Sequence, residues 1–68
     1  MNNFEIQTIL IKLNGVRESL QYDLEDLKAK RGQVSESMIS VLETKIGRRE
    51  TEIKDLNSME LDLREHLT

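Results

Sequence analysis

An all-α fold is predicted, an antiparallel helical hairpin of two long, coiled-coil-like helices expected to dimerise into a four-helix bundle. Three observations predict it. Two stripes of mostly apolar residues run at alternating steps of three and four: Ile6, Leu10, Leu13, Arg17, Leu20, Leu24, Leu27, and then Ile39, Leu42, Ile46, Arg49, Ile53, Leu56, Glu60, Leu63, Leu67. A short segment containing Gly32 separates them, and the 68 residues include no proline. So short a connection between long helices makes them antiparallel neighbours.

Each element has a local reason. The first helix is expected over residues 3–31, with Lys28, Lys30 and Arg31 in its last turn, where cations complement the carbonyl end of the helix dipole. Asn14-Gly15 is a turn dipeptide that would leave a short helix over 3–13, but the apolar register runs from Leu13 to Leu20 without a skip, which favours one continuous helix. Gly32 can close that helix in the left-handed conformation. Residues 32–35 form the turn, Ser35 is the expected N-cap of the second helix, and Glu36 sits at the positive end of the new dipole. The second helix is expected over 36–67. The whole is one domain, 1–68.

Composition agrees. Apolar residues make up 37% of the chain and charged ones 34%, with one Phe, one Tyr and no Trp, a balance suited to long helices and poor for sheets. A chain this short has little interior. With no cysteine there is no disulfide framework and no thiolate metal site, so stability has to come from packing or association, and a cytoplasmic location is the default reading. Residues 1–13 lack the pattern of a secretory signal, and no segment is apolar enough to span a bilayer.

Folding the stripes about the turn places Leu27 beside Ile39, Leu24 beside Leu42, Leu20 beside Ile46, Leu13 beside Ile53 and Leu10 beside Leu56. Between these aliphatic layers Arg17 meets Arg49. Two guanidinium groups at seam positions must find carboxylates or water, and Glu18, Glu50 and Glu52 are near in sequence. The pair reads as a polar layer fixing register or, alternatively, as an anion site built from both arginines. Gly15 and Gly47 flank it, each costing about 1 kcal/mol relative to alanine in a helix interior.

Apolar residues outside the seam concentrate at the open end of the hairpin: Phe4, Ile9, Ile11, Val16, Met59 and Leu61. They extend around more than one face, which a lone pair of helices cannot cover, and they are the candidate dimer or partner interface. A two-fold dimer of hairpins is the simplest solution.

This length and layout resemble the Rop family, small helical hairpins that dimerise into antiparallel four-helix bundles and bind paired RNA loops. The resemblance covers layout, not sequence. It implies an RNA- or nucleic-acid-binding alternative in which Tyr22 with Lys12 or Lys28 would imitate a basic, aromatic face. Asp23, Glu25 and Asp26 beside Tyr22 would repel phosphates, and the net charge of −3 weighs the same way, so no binding residue is carried over.

No catalytic, cofactor or metal residues are assigned. His66 is the only histidine and reads as a cation near a helix C-terminus. The acids alternate with bases at helical spacing, Asp26 with Lys30, Glu50 with Lys54 and Glu60 with Arg64, which describes a solvated face. No phosphate-cradling loop or nucleophile elbow is present. An amphipathic membrane helix over residues 4–16 would need more cations than Lys12 and Arg17. The expected function is therefore non-enzymatic: a regulatory interaction module, an inhibitor, antirepressor or adaptor of phage-like size, that binds itself and another protein.

Overall fold

The computed structural model describes residues 2–67, and within them the chain is a hairpin of two helices, α1 (Asn3–Arg31) and α2 (Glu36–Arg64), 29 residues each. The molecule is a rod of 51 × 15 × 11 Å. Its long axis follows from the helices themselves, since 29 residues rise about 43 Å at about 1.5 Å each.

The start of α1 is tied by a reciprocal cap. The Asn2 side-chain oxygen accepts from the Glu5 backbone N–H at 2.8 Å, and the Asn2 amide donates to the Glu5 carboxylate at 3.3 Å. The first satisfies a backbone N–H at the helix end where a partner is otherwise missing, and the second ties the two side chains together. Gly15 does not interrupt α1, which runs through it unbroken.

Two turn expectations are corrected. Gly32 is not left-handed: its φ of −81° and ψ of −2° are right-handed, and none of the described residues has a positive φ. The Gln33 N–H instead donates to the Lys30 carbonyl at 2.9 Å, tightening the last turn, and the reversal is completed by extended backbone at Ser35. Four linking residues are enough to turn the chain without a left-handed step. Ser35 has N-cap dihedrals, and its carbonyl accepts from the Met38 N–H at 2.9 Å. Its hydroxyl, however, pairs with the Ser37 hydroxyl at 3.0 Å, not with a backbone N–H.

The second helix also ends earlier than expected, at Arg64 instead of 67. Beyond it His66 donates to Leu63 and Leu67 to Arg64, at 3.0 and 3.1 Å, the short-span bonds of a tightening terminus.

Packing follows the heptad stripes residue for residue. Every seam position named from the periodicity is buried or half-buried. Among the described residues only Ile6 (1% exposed), Leu42 and Ile46 are buried, because two helices in one layer leave the flanks of their seam open to water.

Candidate interaction site

The seam arginines do not converge. Arg17 turns toward the open end, where it donates to Asn57 at 3.0 Å, to Asn14 at 2.7 Å, and to the Glu60 carboxylate. Arg49 donates to Asp23 on the turn side and to Glu52 one helical step further along α2, both at 2.6 Å. Helical side chains lean toward the N-terminus of their own helix, so in an antiparallel pair the two guanidinium groups at one level splay apart. Of the carboxylates close in sequence, only Glu52 is used; Glu18 accepts from Asn14 instead. Both arginines are satisfied inside the hairpin, and they do not form one anion-binding pocket.

Glu60 is the most heavily engaged acid. It accepts from Arg17 and, through its other oxygen, from Arg64 at 3.0 Å, and the Arg17 hydrogen bond foremost, then that of Arg64, holds its carboxyl below the usual glutamate range. Asp23 first and Glu52 second raise the pKa of Arg49. Asp26 does the same for Lys30 through a 2.9 Å pair one helical turn apart. Of the three helical pairs expected from spacing, Asp26–Lys30 and Glu60–Arg64 form, and Glu50–Lys54 does not.

The two arginine networks divide the hairpin into faces. At 100° per residue, Asp23, Arg49 and Glu52 fall on one side of the seam, and Asn14, Asn57 and Arg64 on the other. The grooves agree: one is lined by Asp23, Leu27, Lys45, Arg48 and Arg49, another by Leu10, Ile11, Asn14, Arg17, Glu60 and Arg64.

The six candidate interface residues are distributed over both sides of the seam. Ile9, half-buried, joins half-exposed Val16 and Met59 on the face that carries Arg49 and Asp23. Phe4 (78% exposed) and Ile11 (74%) lie one heptad apart on the outer side of α1, away from the seam, with Tyr22 further along the same side. Leu61 (65% exposed), on α2, lies on the same Asn14–Arg64 side as Ile11, which lines the groove there. Three further residues belong with the first face or its rim: Met38 and Val41 near the turn are also exposed, and Val34 in the turn is half-buried. Met38 and Val41 lie outside the candidate interface because that set is confined to the open end; seven-residue spacing from Met59 leads to Met38, three heptads away.

Among the described residues no group of three or more His, Cys, Asp or Glu is placed to hold a metal, and no helix is long and apolar enough to cross a membrane. The His66 ring bonds the Asp62 carbonyl at 2.8 Å; a carbonyl only accepts, so Nδ1 carries the proton. Fold and surfaces together define a helical hairpin with uncovered apolar faces. The chain matches no protein-family model, no curated protein and no solved structure.

Proposed function

We propose that the protein is a non-enzymatic interaction module, a hairpin that pairs with a second copy in a four-helix bundle and presents a rigid helical surface to another protein, as an inhibitor, antirepressor or adaptor does. One observation carries the reading: eight large apolar or aromatic side chains, among them Phe4, Ile11 and Leu61, are exposed on a chain with three buried core residues. A fold that left this balance to water would bury too little to offset its chain entropy.

The surfaces suggest a division of labour. The broad face with Ile9, Val16 and Met59 draws on both helices and adjoins the half-buried seam, which suits a bundle core. The outer ridge of α1, with Phe4 and Ile11, stays outside such a bundle and suits a different protein, because apolar anchors supply most interface energy. Arg17 and Arg49 act as the polar layer that sets register. A nucleic-acid reading has one observation in its favour, the exposed Tyr22 between Lys12 and Lys28, but acids surround it.

Capture on the immobilised full chain, with and without nuclease, separates the two. The protein-binding reading expects a bound protein retained after nuclease treatment and lost with Phe4→Ser/Ile11→Ser. Nucleic acid retained instead, with affinity falling steeply as salt rises, overturns it.

A further inference from the structure

One flank of α2 reads the same in both directions if charges are exchanged: Val41, Lys45, Arg48, Glu52, Asp55, Met59. Steps of three and four keep all six on one stripe, on the face that carries Arg49 and Asp23. Laid antiparallel against itself, the stripe sets Val41 against Met59, Lys45 against Asp55 and Arg48 against Glu52, and all three pairs are centred on Glu50. On the same face of α1 two charge pairs share one centre: Glu5 falls against Lys30 and Lys12 against Asp23, with Ile9 against Asp26 and Val16 against Ser19, centred between Arg17 and Glu18. Glu50 and Glu18 lie at one level of the hairpin, next to Arg49 and Arg17. A single two-fold axis crossing the rod at that level therefore satisfies both helices at once.

Resting on the self-pairing read above, we propose that this face binds a second copy of the chain with the two turns at opposite ends, α1 against α1 and α2 against α2. Each of the four charge pairs then occurs twice, as an interface with two-fold symmetry requires. Lys12, Lys45, Arg48 and Asp55 make no ion pair within the hairpin and are free to pair across this interface. The area is sufficient. The chain exposes 5182 Å²; a compact protein of 7.9 kDa exposes about 4,400 Å². The excess, about 800 Å², is what one partner contributes to an interface of standard size. Turns at the same end would instead place α1 against α2, keeping only Lys12 with Asp55 and Asp23 with Lys45, and would set Glu52 against Val16. The charges favour opposite ends.

The chain has no cysteine, so Gln33→Cys in the exposed turn accepts one spin label per copy. Opposite ends are expected to hold the labels apart by a distance close to the 51 Å long axis. Labels within roughly two helix diameters, about 20 Å, put the turns together and overturn the direction while leaving a dimer intact. A folded monomer at micromolar concentration overturns both the direction and the self-pairing beneath it. Charge reversal gives an independent reading: Lys45→Glu is expected to weaken self-association roughly tenfold, with recovery in Lys45→Glu/Asp55→Lys. Recovery with Asp23→Lys in place of Asp55→Lys contradicts the proposal.

Discussion

Glu60, held between Arg17 and Arg64, gives the hairpin a pH-dependent component with a definite sign. Its folded-state pKa is depressed, so its contribution is present above the ordinary glutamate range and is lost as pH falls through the folded value. Glu60→Gln is therefore expected to lower the melting temperature at neutral pH and to converge with the unmodified protein in strong acid; a constant gap across that range would mean the carboxylate charge is irrelevant. Gly15 and Gly47 invite the opposite kind of change. A methyl group at either meets nothing within 4 Å, so both glycines sit on open helix surface with no internal reason to be glycine. Gly15→Ala and Gly47→Ala should each stabilise by about 1 kcal/mol, read as a rise of about 4–8 °C in melting temperature. A fall would show that something outside the hairpin packs closely there. The seam arginines could be named from periodicity, but of their acidic partners only Glu52 could: Asp23 and Glu60, like Asn57, are distant in sequence from the arginine each meets, and only the antiparallel packing brings them within reach.

The helices themselves were largely legible. Seven-residue spacing located every seam position, because burial between two rods depends on phase and little else. The ends were less so. Asn2 and Glu5 have the spacing of a capping box, a signal available in the sequence but not taken from it, while Gly32 invited a left-handed stop that the four-residue turn does not need. Two expectations test these ends. Asn2→Ala should cost about 1 kcal/mol through loss of the cap, measured by denaturant unfolding. Gly32→Ala should be tolerated, since its backbone is right-handed and the nearest atom to an added methyl is the Ala29 carbonyl oxygen at 4.0 Å. Strong destabilisation at Gly32 would indicate a left-handed turn in solution.

For the whole molecule, the surplus of apolar residues was visible in composition, but its division between a broad face and the opposite side, with the outer ridge of α1 and Leu61, needed the hairpin's geometry. Faces depend on which flank of each helix the turn brings together, and spacing within a single helix does not state that. The same geometry gathers on the broad face the charges that pair when a second copy is laid antiparallel, which is the basis of the self-pairing proposed above. A hairpin that is half of a self-paired bundle, as proposed, couples folding to association, with a melting temperature that rises with protein concentration. Sedimentation equilibrium of the full chain tests this most directly. At micromolar concentration the account expects a species of twice the 7.9 kDa chain mass; a helical, cooperatively folded monomer of one chain mass at that concentration would contradict it.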